Sequence, residues 1–350
     1  MTNPQIKFGN QVIGGDARTY IIAEAGSNHN GDLDIALELI NTAADAGADA
    51  VKFQTFRADE TYVEDSGGAE YLDDDRSLYD IIAAMEMPYE WIPTLQEHAA
   101  SRDIQFMSTP SDPRSVDELD PFVPAFKIES FHMSNHPFLR YVAQKGKPII
   151  LSTGAHELDE IAETIDVLQN EGVEDLVILH CVSGYPTPLD QINVRVVKTL
   201  RDRFGIDTGL SDHTLDPTTA PVAAVSLGGS VVEKHFTLDK SMPGPDHAFA
   251  LDPDELSEMV TAIRKTERAL GDGVKRLAEA EKELHDKARR FVHARTDISA
   301  GEAFTEDNIG ILCHGELDPG LLPKHYDEVL GSTATRDIEQ SAGITWDDIR

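Results

Sequence analysis

Short apolar runs rich in Val, Ile and Phe alternate with segments of helical periodicity almost to residue 271, and this alternation constrains the fold more than any other feature of the chain. The expected strands are 20–26, 50–56, 104–111, 125–130, 148–154, 176–184, 207–213 and 231–238. Helical patterns lie between most of them. The segment 32–47 (DLDIALELINTAADAG) repeats apolar residues at spacings of three and four and ends on glycine, and 158–172 and 193–205 do the same. The segment 252–271 opens on Asp-Pro, an N-cap followed by a proline already set for the first helical position. Eight strands alternating with helices over about 250 residues predict an α/β fold, a closed parallel (β/α)8 TIM barrel. A doubly wound sheet is the alternative, but it usually has fewer strands, and no Gly-rich dinucleotide turn follows the first strand.

Beyond Gly271 the composition changes. The segment 277–290 (LAEAEKELHDKARR) is a charged pattern with little apolar face, expected to be a helical connector. From Phe291 short β-like runs follow, FVHARTDISAGEAF and NIGILC, then a turn-rich stretch with Pro319, Gly320 and Pro323. The expected organisation is a barrel over 1–275, a helical linker over 276–290 and a small, mostly-β module over 291–350. Such a module is too small for a large core of its own and is expected to lean on the barrel of its own or a neighbouring chain.

The chain carries 63 acidic against 30 basic residues, a formal net charge of -33. That field repels nucleic acid and anionic membranes, and it requires any anion site to be built locally. Surface acid of this amount, on a chain that is 40% hydrophobic, fits a halophilic protein whose surrounding salt screens the self-repulsion. No apolar stretch is long enough to span a bilayer, and the start, MTNPQIKFGN, lacks the apolar core of a secretory signal. Cys181 and Cys313 suggest no disulfide framework. A cytoplasmic protein with no nucleic-acid or membrane partner is expected.

In a barrel of this kind, functional groups sit at the C-terminal ends of the strands. Here those ends read Glu24, Lys52 with Gln54, Ser108-Thr109, Lys127 with Ser130, Ser152-Thr153, Ser183 with Tyr185, Ser211 with His213, and Glu233-Lys234-His235. Core packing does not account for so many, because buried lysines and histidines are costly without partners. Lys52 and Lys127 lie inside apolar strands and, with the nearby hydroxyls, would form a cradle for phosphate and carboxylate. A Schiff-base lysine, as in a class I aldolase, and an ion pair inside the barrel are alternative roles. His213 and His235 end strands that are neighbours in a closed barrel, so the two imidazoles could hold an exchangeable divalent ion. Asp246, in a Met-Pro-Gly-Pro-Asp-His run after the last strand, could move a proton or bind a hydroxyl, or could simply stabilise its turn.

These segments resemble the N-acetylneuraminate (sialic acid) synthase family, which includes the legionaminate and pseudaminate synthases. The matching runs are IIAEAGSNHNGDLDIALELI, AGADAVKFQTF, FMSTPSD, FKIES, KPIILSTGAHELDEI, ILHCVSGYPTP, GLSDHT and VVEKHFTLDKSMPGPDHAFALDPDEL. The resemblance covers essentially the whole chain, and residues from about 290 onward are similar to the family's antifreeze-like (SAF) domain. It implies a transferase that joins phosphoenolpyruvate to an N-acylated, mannosamine-like amino sugar, with phosphate leaving by C–O cleavage. By resemblance Lys52, Thr109, Lys127, Ser130, Ser152 and Ser211 hold phosphoenolpyruvate. His213 and His235 hold Mn²⁺ or Mg²⁺. Glu24, Gln54, Tyr185 and Asp246 face the open-chain sugar. Glu24, Lys52, Lys127 and Asp246 are the expected catalytic set, and a domain-swapped homodimer is implied.

The chain departs from the family pattern in the sugar half. After Lys127 the family usually reads Gly or Ala, then Ser-Gly and an acid that binds the sugar. Here Glu129-Ser130-Phe131-His132 puts His132 in the place of that acid. Ser183-Gly184 replaces an expected Asn before the Tyr-Pro motif. Leu312-Cys313-His314-Gly315-Glu316 replaces an Arg-Pro-Gly run in the C-terminal module. His132 and Ser183 are therefore taken as candidate substrate contacts of altered type. A Schiff-base 2-keto-acid aldolase and a catalytically decayed sugar-binding protein are the competing functions.

Overall fold

The computed structural model describes residues 5–65, 67 and 76–350. It divides the chain into two compact units, one ending at Gly271 and one running from Asp272 to Arg350.

The first unit opens with a hairpin absent from the sequence-based expectation: β1 (Ile6–Phe8) pairs antiparallel with β2 (Gln11–Ile13). The turn between them carries Gly9 at φ +60°, a conformation open to glycine at little cost. Eight parallel strands follow: β3 (Tyr20–Gly26), β4 (Ala50–Thr55), β5 (Gln105–Pro110), β6 (Phe126–Ile128), β7 (Ile149–Ser152), β8 (Leu176–Cys181), β9 (Asp207–Asp212) and β10 (Val231–His235). They are laddered in the order β5-β4-β3-β10-β9-β8-β7-β6, and β5 packs beside β6 to complete the ring. This is the TIM barrel expected from the alternation.

The helices follow the expected caps. Asp32 accepts from the backbone N–H groups of Asp34 and Ile35 at the start of the helix Leu33–Ala46, and Gly47 ends it at φ +81°. Asp252 and Glu255 form a capping box at the start of Pro253–Leu270. The strands are shorter than expected at their C-terminal ends. The runs 176–184 and 231–238 leave the ladder after Cys181 and His235, because their last residues turn into the loops above the barrel.

Side chains alternate across each strand, and inside the barrel this period of two sorts them by height. Tyr20, Ile22, Ala50, Met107, Ala125, Ile150, Val177, Leu179 and Val231 form one buried apolar cluster with Phe8 and Ile13 of the hairpin. Two residues further along the same strands, the inward positions become polar: Glu24, Lys52, Thr109, Lys127, Ser152, Cys181, Ser211, Glu233 and His235 line one pocket. The opposite strand faces join the helices in a separate, larger core.

In the second unit, β11 (Arg290–Ala294) pairs antiparallel with β12 (Ile309–Cys313) around Val292, Ala294, Ile298, Phe304, Ile309, Val329, Ala334, Ile338 and Ile344. The connector is less helical than 276–290 implied. Only the turn Glu279–Glu281 and the helix Lys282–Lys287 are wound, none of their residues is buried, and Arg290 already belongs to β11. A helix with no face to bury gains little beyond its own short-range bonds. Among the described residues no helix is long and apolar enough to cross a membrane.

Candidate active site

The inner pocket is narrow and lies at the C-terminal end of the barrel. Its floor is a network of buried charges. Lys52 Nζ lies 2.6 Å from Glu24 Oε2 and donates to Thr109 Oγ1 at 3.0 Å. Lys127 Nζ donates to Ser152 Oγ at 2.7 Å and to the Ile128 carbonyl at 3.2 Å. Glu233 sits between the two ammonium groups, 3.8 Å from Lys52 and 3.5 Å from Lys127, and accepts from Ser211 Oγ at 3.0 Å. Gln54 Nε2 donates to Glu24 Oε1 at 3.1 Å. β-Ladder register places these groups: Glu24 is level with Lys52 on one side and His235 on the other, and Ser211 is level with Glu233.

Removing four ionisable groups from water is expensive, and their mutual pairing offsets much of that cost. Burial pushes the Glu24 carboxyl up to about 7, against the pull of Lys52. Burial also drives the Lys127 ammonium below its ordinary value despite Glu233. For Lys52 burial acts downward, but Glu233 and Glu24 more than offset it and leave the group above its ordinary value. Burial would raise Glu233, yet Lys127 and Lys52 hold it low. With Glu24 near 7 the carboxylate beside Lys52 is only partly ionised at neutral pH, so the Lys52 ammonium is not fully matched by Glu24 within the floor.

Above this floor lies a second, roomier compartment lined by Ser27, Gln54, Ile81, Ile82, Met85, Phe131, Tyr185, His235, Pro245, Asp246 and Phe249. Gln54, Phe131, Tyr185 and His235 line both compartments. Asp246 Oδ2 lies 3.7 Å from His235 Nδ1, and burial pushes its carboxyl up to about 6. Gly26, at φ +54°, makes this approach possible: a Cβ there would stand 3.2 Å from Asp246 Oδ2 and 3.6 Å from His235 Cε1.

His213 and His235 meet with ring centroids 5.5 Å apart, and Tyr185 packs on His213 at 4.4 Å. His213 Nδ1 is held by the Val182 carbonyl at 2.9 Å, so its N–H points there and, in the neutral ring, the Nε2 lone pair is left free. His235 Nδ1 is buried without a hydrogen-bond partner among the described residues. Burial, then His213, keeps that imidazole neutral. Burial acts against the protonated His213 ring, but the Cys181 thiol and the Val182 carbonyl favour it, so a divalent ion held between the two imidazoles would have to displace that proton, while His235 already offers a neutral nitrogen. Among the described residues no group of three or more His, Cys, Asp or Glu side chains is arranged to hold a metal.

Of the residues expected from sequence, Glu24, Lys52, Gln54, Thr109, Lys127, Ser130, Ser152, Tyr185, Ser211, His213 and His235 line the inner pocket, and Asp246 lines the outer one. His132 does not reach either. Its ring packs on Phe138 at 4.6 Å and its Nε2 faces Glu129 at 3.6 Å, because a 3-10 turn, Ser130–His132, swings it behind the wall and presents Phe131 instead. Ser183 is not among the lining residues of the inner pocket; it lines a groove over β7 and β8 that shares Cys181 with it. Glu129, Phe131 and Cys181 line the inner pocket without having been expected there, and Glu233, read from sequence only as one of the polar strand ends, had been given no role. The strand period was the available signal for Glu233: it shares the inward face with Val231 and His235, whereas Lys234 points outward to Asp212 at 2.6 Å.

Residues 39–275 match the NeuB family and residues 289–350 match the SAF domain. The chain belongs to the NeuB family. One NeuB relative, the spore coat polysaccharide biosynthesis protein SpsE of Bacillus subtilis, has a crystal structure that matches with a TM-score of 0.68 at 42% identity, covering 99% of each chain. The N,N'-diacetyllegionaminic acid synthase of Campylobacter jejuni is 40% identical over 92% of this chain and 98% of its own. The crystal structure of the sialic acid synthetase of Leptospira borgpetersenii, in complex with citrate, matches with a TM-score of 0.73 at 31% identity, covering 81% of this chain and 96% of that one.

Proposed function

We propose that this chain is a nonulosonic acid synthase that condenses phosphoenolpyruvate with an N-acylated, mannosamine-like sugar and releases inorganic phosphate. The observation that carries the reading is the division of the mouth into two compartments. Lys52 and Lys127 converge with Thr109, Ser152 and Ser211 in the deeper one, while the outer one has mixed apolar and polar walls and opens onto Asp246. A compact polyanion suits the first and an uncharged sugar with hydrocarbon faces suits the second. Among the described residues no Lys or Arg lines the outer compartment, which favours an acceptor without phosphate.

The roles follow from position. Lys52 and Lys127 hold the phosphate and carboxylate of phosphoenolpyruvate and stabilise negative charge as the C–O bond to phosphate breaks. The hydroxyls of Thr109, Ser130, Ser152 and Ser211 orient those oxygens. The methylene carbon attacks the open-chain aldehyde, water adds at the former enol carbon, and phosphate departs. Glu24, with a pKa of about 7 beside Lys52, can take or give a proton at neutral pH. Asp246 and Gln54 bind hydroxyls of the acceptor. His213 and His235 would hold Mn²⁺ or Mg²⁺, which when bound supplies Lewis acidity toward the aldehyde oxygen. Exposed Phe131, Tyr185, Leu189 and Leu215 on the loops of β6, β8 and β9 favour a covered mouth, and the reading includes a homodimer, checked by light scattering.

The test is phosphate release from phosphoenolpyruvate in high salt with Mn²⁺, across N-acetylmannosamine and 2,4-diacetamido hexoses, with an EDTA control. Acceptor-dependent, EDTA-sensitive release is expected. One observation favours a second reading: the lowered pKa of Lys127 suits an imine-forming amine. Borohydride trapping of a pyruvate adduct on Lys127, without phosphate release, would establish the aldolase instead.

A further inference from the structure

One wall of the outer compartment is carried by the loops after β3 and β10, which are joined by a chain of hydrogen bonds centred on buried His247. Thr237 Oγ1 lies 2.6 Å from His247 Nδ1, and His247 Nε2 lies 3.2 Å from Asn30 Oδ1. Beside this chain Asn28 Nδ2 donates to the Phe236 carbonyl at 2.8 Å. The His247 ring is 1% exposed, and its burial disfavours the imidazolium. A neutral ring with its proton on Nε2 donates to the Asn30 oxygen and accepts from the Thr237 hydroxyl. Gly244 passes over this ring so closely that a Cβ would stand 2.8 Å from His247 Cδ2. The bridge therefore ties the loop after β3, which carries Ser27, to the loop after β10, which carries Pro245, Asp246 and Phe249; all four line the outer compartment and none lines the inner one.

We propose that His247 is a positioning residue for the acceptor: through Asn30 and Thr237 it holds Asp246 and Ser27 on one wall of the outer compartment. This rests on the function proposed above, and it separates the two substrates. Phosphoenolpyruvate is held by strand-borne groups and by Ser130 on the turn after β6, none of which the bridge touches, so weakening the bridge affects the acceptor alone.

The experiment uses the full-length protein and measures KM for each substrate in the phosphate-release assay, with the acceptor that the wild type turns over fastest. His247→Ala raises the acceptor KM about tenfold and leaves the phosphoenolpyruvate KM unchanged. His247→Gln, whose amide still reaches Asn30, recovers part of the loss. Asn30→Gly removes the bridging oxygen at a residue with φ +50°, where glycine carries no strain, and raises the acceptor KM roughly threefold. An unchanged acceptor KM, or a parallel rise for both substrates, overturns the proposal. If the wild type releases no phosphate with any acceptor, the proposed function fails, and hydrogen–deuterium exchange then decides on the bridge. Faster exchange across residues 239–250 in both His247→Ala and Asn30→Gly supports it, and wild-type exchange rejects it.

Discussion

The inner and outer compartments share four lining residues but are held in shape by different means. Lys52, Thr109, Lys127, Ser152, Ser211 and Glu233 all stand on strands whose ladder register sets their height in the barrel. The outer wall is made by loops and short helices, and its polar groups depend on side-chain bridges such as Asn30–His247–Thr237. The difference teaches that ladder register alone fixes the charged floor, whereas the outer wall depends on side-chain contacts between loops.

The largest effect expected from breaking this comparison is at Lys127. Lys127→Met removes a cation from the inner floor and is expected to lower kcat/KM by about 10³-fold in phosphate-release kinetics. Survival of most of the activity would mean that Lys127 is not part of the anion cradle. Next comes the imidazole pair. His213→Ala, followed by Mn²⁺ titration calorimetry, should weaken metal affinity by at least the tenfold to hundredfold, in order of magnitude, that loss of a supporting bond costs such a site. Unaltered affinity would place the ion elsewhere.

Asp246→Asn sharpens the boundary between compartments. It is expected to raise the acceptor KM about tenfold, ~1.4 kcal/mol, with the phosphoenolpyruvate KM unchanged, as steady-state kinetics with each substrate varied will read. The smallest expected effect is on stability. Glu24 titrates near 7 in the folded protein, above the ordinary carboxylate range. Between that range and pH 7 the folded chain therefore binds more protons than the unfolded chain, and stability falls as pH rises through the window. Glu24→Gln should melt with the wild type at about pH 5 and roughly 2–4 °C above it at about pH 8, by differential scanning calorimetry. Equal melting at both values would mean that Lys52 keeps Glu24 ionised throughout.

The barrel and most of its mouth were legible from sequence because both are local. Apolar runs mark strands, Asp32, Gly47 and Asp252 mark helix ends, and a period of two along Val231–His235 marks what faces inward. The hairpin Ile6–Ile13 escaped notice because its two strands are three residues each, too short for a period to register. His132 was misplaced for a related reason. The single turn Ser130–His132 exchanges which of two adjacent side chains meets the pocket, and a strand period does not run through a turn.

The sequence by itself determined which residues lie in strands, which end helices and which inward positions turn polar, since these follow from backbone period and side-chain type. It also determined family membership, through motifs spread along nearly the whole chain. Only the tertiary structure decided that Glu233 stands between two lysines and that Asp246 meets His235 over Gly26. It alone showed that Phe131 rather than His132 lines the outer compartment and that His247 joins two loops 217 residues apart. These are contacts between segments distant in sequence, and barrel closure and loop backbone angles set them, neither of which leaves a local pattern to read.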